Sequence, residues 1–162
     1  MKYSLPWGNI PREARIGNSF DEPIRLFRGD KLALLEEARR IGILSTALAN
    51  NDLETIYEFG DAVGSPAKWS DAILAMNSHT TMTAQRAGIV TPFISASQIK
   101  GFAETFATGI DDAVVEIEVP ASRLIAPMMD AGLGHTPMEL LIVGGVLPGE
   151  VVAVYPVGAD KK

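Results

Sequence analysis

The period of the apolar residues changes near residue 90, and that change limits the fold more than any other feature of the chain. Before it, apolar positions recur at helical spacing: Leu53, Ile56, Tyr57 and Phe59 within 51–63, then Trp69, Ile73 and Met76. Gly64-Ser65-Pro66 separates the two runs, and Ser65 is expected to cap the second helix with Pro66 at its first position. After residue 90 the pattern is that of strands. Val115, Ile117 and Val119 alternate with Glu116 and Glu118, which predicts a half-buried strand over 113–119. Leu140-Leu141-Ile142-Val143 is an unbroken apolar run, hence a central strand, and the turn Leu147-Pro148-Gly149-Glu150 brings 151–155 back as its partner. Helices in the first half and strands in the second predict an α+β domain.

Residues 1–23 show no periodicity and read as an irregular N-terminal arm. Residues 24–158 read as a single domain and 159–162 as a frayed tail. Ile24–Phe27 is expected to be a short strand, with Asp30 capping a helix over 31–40 that Gly42 ends. Ser97 is a candidate cap for a helix over 97–109, whose Ile99, Phe102, Ala103, Phe106 and Ala107 fall on one stripe.

Composition narrows the function classes. The chain has 162 residues and no cysteine, so disulfides, a thiolate nucleophile and a zinc–thiolate site are excluded. Its net charge of −6 does not support a nucleic-acid target, without excluding one, since a broad basic face is missing. No apolar run approaches the roughly 20 residues of a membrane span, and no membrane partner is expected. Met1-Lys-Tyr-Ser-Leu-Pro-Trp-Gly8 lacks a signal-peptide core, so any export is expected by a route other than a cleaved leader. His79 and His135 stand apart from clustered acids, which makes no case for a metal site.

Three short motifs carry chemistry. In Leu26-Phe-Arg-Gly-Asp30, Arg28 offers a planar fork suited to phosphate oxygens; the alternative is a surface ion pair with Asp30 or Glu22. Gly29 beside it is expected to leave open space at a strand end. In Phe93-Ile-Ser-Ala-Ser97, Ser95 and Ser97 share one face of a strand. Ser95 is the functional candidate and Ser97 mainly a helix start. Glu139 stands at the mouth of the Leu140–Val143 strand. There it either stabilises positive charge developing on a sugar, as carboxylates do in glycoside cleavage, or simply ends a loop. His79 reads first as a structural histidine.

In that order, these motifs resemble the mono-ADP-ribosyltransferases of the arginine–serine–glutamate class, which include the cholera-type enterotoxins. Phe27-Arg28-Gly29-Asp30 is similar to the family's aromatic-Arg-x-Asp strand. Ser95-Ala96-Ser97 is similar to its Ser-Thr-Ser strand, with alanine in the middle. Glu139 stands five residues before Gly144-Gly145-Val146, as in the family. Ser95 follows Arg28 by 67 positions and Glu139 follows Ser95 by 44. The resemblance covers 24–156 and implies an ADP-ribosyltransferase-like split β-sandwich that takes NAD as substrate, without a metal.

Residue by residue, the resemblance implies that Arg28 contacts the NAD phosphates and braces the strands. Ser95 holds Glu139 or contacts the nicotinamide ribose. Glu139 bonds the ribose 2′-hydroxyl as nicotinamide leaves. Gly29, His79 and Ser97 would complete the NAD site. Met128, Met129, His135 and Pro137 fall in the loop expected to recognise the acceptor. Arginine-modifying members carry a second acid two residues before the glutamate; here that position is Pro137, so arginine is a doubtful acceptor. The resemblance also implies a secreted or delivered effector acting in the target-cell cytoplasm, with a macromolecular acceptor and a possible immunity protein. An NAD glycohydrolase and a non-catalytic binding module on the same fold are the alternatives.

Overall fold

Main-chain pairing in the computed structural model, which describes residues 4–80, 90–127 and 139–157, is antiparallel throughout. β1 (Pro23–Lys31), α1 (Leu32–Ile41), β2 (Ile43–Leu44), α2 (Thr46–Ala49), α3 (Leu53–Val63) and α4 (Trp69–Thr80) occupy the first half. β3 (Phe93–Ala96), α5 (Lys100–Glu104), β4 (Asp112–Pro120), β5 (Leu124–Ile125), β6 (Leu140–Val143), β7 (Gly145–Val146) and β8 (Val151–Pro156) follow. One sheet has the order β1-β4-β8 and the other β3-β6-β5, while β2 and β7 form a two-residue ribbon. A single bridge between Phe27 and Ser97 joins β1 to the end of β3. The chain is therefore α+β, as its change of period predicts.

β6 is central, and its apolar run has a packing reason. Leu140 and Ile142 face one core, with Leu26, Val115, Ile117 and the α1 residues Leu35 and Ala38. Leu141 and Val143 face a second core, with Ile56, Phe59, Ala72 and Met76 from α3 and α4. Both faces are covered, so no polar residue interrupts the strand. The arm is irregular, but Leu5, Ile10 and Ala14 are buried in the second core.

Several expectations change. β1 is nine residues long, because it pairs with β4 from Pro23↔Pro120 to Lys31↔Asp112. Asp30 therefore lies inside a strand and caps nothing; its Oδ1 accepts the Lys31 amide. β8 is the partner of β4 rather than of β6. Ser65 makes no side-chain cap, and Pro66–Lys68 forms a 3-10 turn ahead of α4. Helix α5 covers only Lys100–Glu104, since Ile99 and Phe106 lie exposed rather than on a buried stripe. Tyr57, at a helical inward position by spacing, is also exposed.

Candidate functional site

Strand pairing alone brings Ser95 and Glu139 together. Ser95 lies opposite Leu141 in the β3–β6 register, so Glu139, two residues earlier, is its diagonal neighbour on the same face. The Ser95 hydroxyl donates to Glu139 Oε1 at 3.1 Å. Glu139 is half-buried and lines the cavity, and no described residue donates to its Oε2.

Arg28 arrives from the other sheet. The Phe27–Ser97 bridge, with N–H···O distances of 2.7 and 2.9 Å, sets β1 against the end of β3. Arg28 Nη1 then donates to the Ser95 carbonyl at 2.9 Å, and Nη2 to Asp30 Oδ2 at 3.1 Å. The strand brace and the ion pair with Asp30 are thus both present; Glu22 instead accepts from the Asn18 amide. The Arg28 and Asp30 side chains are 25% and 27% exposed, so the pair is partly open, while Arg28 Nε is buried with no hydrogen-bond partner among the described residues.

Gly29 does not provide open space beside Arg28. A Cβ there would meet the Ala103 carbonyl of α5, so the glycine lets helix and strand backbones approach. Ser97 is buried and does not act as an N-cap of α5, whose cap position is Ile99. Its hydroxyl instead accepts the Ile99 amide at 3.0 Å, a local turn that ends β3.

His79 joins the cluster from α4. Ala72 and Met76 are buried at i and i+4, and His79 follows at i+7 on the same stripe. Its Nε2 lies 3.0 Å from Ser95 Oγ and its Nδ1 2.6 Å from Thr91 Oγ1. The Phe93 ring packs edge-on against it at 5.4 Å. Burial, then the nearby Arg28 charge, push the imidazole pKa down from 6.5 to about 4, so His79 is neutral at physiological pH.

These groups line a cavity of about 650 Å³, within the range of small-molecule sites. Arg28, Gly29, Asp30, His79, Thr91, Ser95, Ser97 and Glu139 all contribute to its wall. Phe102 and Phe106 close one side with their rings in edge contact at 5.3 Å. Lys31 and Asp112 also line it, with Lys31 Nζ pairing with Asp112 Oδ1 at 2.9 Å. Among the described residues no three His, Asp or Glu side chains gather in a way that would hold a metal. A neutral imidazole, an oriented carboxylate and an arginine on one wall can hold a polyhydroxylated, anionic ligand and stabilise positive charge developing beside Glu139.

The sequence reading singled out Arg28, Gly29, His79, Ser95, Ser97 and Glu139, and the fold gathers all six at one cavity. Met128, Met129, His135 and Pro137, expected to recognise an acceptor, lie outside the described residues. Thr91, Thr46 and the Phe102–Phe106 pair were missed. Thr91 lies before β3, ahead of a bend at Pro92, so strand alternation offered no local signal for it. No protein-family model matches this chain, and no curated protein matches it.

Proposed function

We propose that this protein cleaves NAD at the nicotinamide–ribose bond and transfers ADP-ribose to a macromolecular acceptor. The observation that carries this reading is the convergence of Arg28, Ser95 and Glu139. Residues 67 and 44 positions apart meet in one hydrogen-bonded group on a cavity wall. The motif order that resembles the arginine–serine–glutamate transferases is thereby given a geometry that suits their chemistry. Two three-stranded antiparallel sheets linked at Phe27–Ser97 support assigning the split β-sandwich of that family.

In this reading Glu139 Oε2 accepts a ribose hydroxyl, while the carboxylate charge favours the oxocarbenium-like state as nicotinamide departs. Arg28 braces Ser95 through its carbonyl, and its partly exposed guanidinium on the cavity wall supplies the positive charge for the NAD phosphates. NAD enters as a substrate, and no step requires a metal. Pro137 stands where arginine-modifying members carry an acid, which favours an acceptor other than arginine. The role as a delivered effector in a target-cell cytoplasm, countered by an immunity protein, rests on the resemblance alone.

The test is nicotinamide release from NAD labelled in its adenylate half, with target-cell lysate present or absent. Glu139→Gln should lower release by about 10²–10³-fold without unfolding the protein. Label on a macromolecule indicates transfer, whereas free ADP-ribose indicates the glycohydrolase alternative. If the parent protein releases no nicotinamide under either condition, the reading fails.

A further inference from the structure

Hydrogen-bond bookkeeping at His79 fixes more than its position. Glu139 as a carboxylate can only accept, so the 3.1 Å contact uses the single proton of the Ser95 hydroxyl. The 3.0 Å contact between His79 Nε2 and Ser95 Oγ must then be donated by the imidazole. Nε2 carries the ring proton, and Nδ1 of a neutral ring is left as an acceptor. Thr91 Oγ1, 2.6 Å from Nδ1, has no other partner among the described residues, so its hydroxyl proton goes to Nδ1. The Thr91 and Glu139 ends of the chain thus impose the same polarity: Thr91 O–H to His79 Nδ1, His79 Nε2–H to Ser95 Oγ, Ser95 O–H to Glu139.

Thr91 is itself held tightly. Thr46 Oγ1 accepts the Thr91 amide at 2.8 Å and donates to the Thr91 carbonyl at 3.2 Å. The Ala47 amide adds a second bond to that carbonyl at 3.0 Å. Thr46 and Ala47 belong to the short helix α2, whose cap Ser45 accepts the Leu48 amide. The backbone that carries the threonine hydroxyl is therefore held in place beside the imidazole.

We infer that Thr91 is a positioning residue, which holds His79 in the Nε2–H tautomer and so directs the Ser95 proton onto Glu139. The tautomer of a histidine is set by the bond its other nitrogen makes, and a wrongly set ring cannot serve its neighbour. Without the Thr91 donor the imidazole can turn its Nδ1–H outward and accept from Ser95 at Nε2. Ser95 then abandons Glu139, and the carboxylate loses its orientation. Thr91 touches no reacting atom in this scheme; it acts through His79 and Ser95.

The consequence for catalysis rests on the NAD-cleaving reading above, but the tautomer does not, which keeps the two separable. The experiment is ¹⁵N NMR of the His79 ring in the full chain at neutral pH, assigned by loss of its signals in His79→Gln. The parent should show a protonated Nε2 and an unprotonated, hydrogen-bonded Nδ1. Thr91→Val should move the Nδ1 resonance toward that of a free ring nitrogen, whereas Thr91→Ser should leave it in place. In parallel, Thr91→Val should lower kcat for nicotinamide release about tenfold with KM nearly unchanged, and Thr91→Ser should recover it. A proton on Nδ1 in the parent, or ring resonances unmoved by Thr91→Val, overturns the inference. Ring shifts as expected with no nicotinamide release by the parent would sink the NAD reading and leave the tautomer assignment standing.

Discussion

A neutral imidazole enclosed beside an arginine has a thermodynamic signature. His79 has its pKa lowered to about 4 by burial first and by Arg28 second, against 6.5 for an unhindered histidine. Between those pH values the unfolded chain binds a proton that the folded chain refuses. The stability tied to His79 is therefore complete above about pH 6.5 and is lost as pH falls through 4. The shift corresponds to at most about 3 kcal/mol. The charged groups sharing the cavity are Arg28, Asp30, Glu139 and the Lys31–Asp112 pair. Urea midpoints measured from pH 4 to 7 should rise with pH in the parent protein. In His79→Gln that rise should be flatter, and an equal slope in both would show that the histidine is not the group responsible.

At the scale of elements, the site depends on two backbone approaches rather than on long helices. α5 is a five-residue helix seated on β1 at Gly29, where a Cβ would meet the Ala103 carbonyl. Because that obstacle is backbone, α5 must shift if a side chain is added. Gly29→Ala should destabilise the protein by about 1–3 kcal/mol, visible as a lower melting temperature. It should also displace Phe102 and Phe106 from the cavity wall, so ligand affinity should fall even where the protein stays folded. The same element shows how local pattern misleads. The apolar stripe over 97–109 has helical spacing, but Phe106 is 64% exposed and Ile99 48%. Phe106 lines the cavity instead of filling a core.

Across the whole molecule, one buried ion pair ties the C-terminal strands to the rest. Arg123, 1% exposed, donates to both Glu150 oxygens at 2.6 Å and to the Gly145 carbonyl at 2.7 Å. Glu150 also accepts the Leu147 amide at 2.8 Å, so the turn between β7 and β8 is fastened to the start of β5. Removing one partner strands the other charge in the interior. Glu150→Ala should cost about 3–5 kcal/mol by equilibrium denaturation. Nothing in the spacing of Arg123 and Glu150, 27 positions apart, announced this pair. A buried arginine becomes visible only when the sheets have closed around it.

The sequence by itself determined the fold class and the identity of the chemical groups. Period-two and uninterrupted apolar runs report which faces of a strand are covered, and those faces depend on local alternation alone. Arg28, Ser95 and Glu139 were legible because they sit at the ends and interiors of such runs, in an order that resembles one family. The tertiary structure decided strand partners, and with them everything that depends on register. β8 pairs with β4 instead of β6, β1 extends past Asp30, and Thr91 faces His79 across 12 positions of chain. Pairing is settled by long-range packing of two cores against one central sheet, which no local window contains. Arg28, Gly29, His79, Ser95, Ser97 and Glu139 could be named from the chain, but Thr91 and the direction in which the site's protons point required the fold.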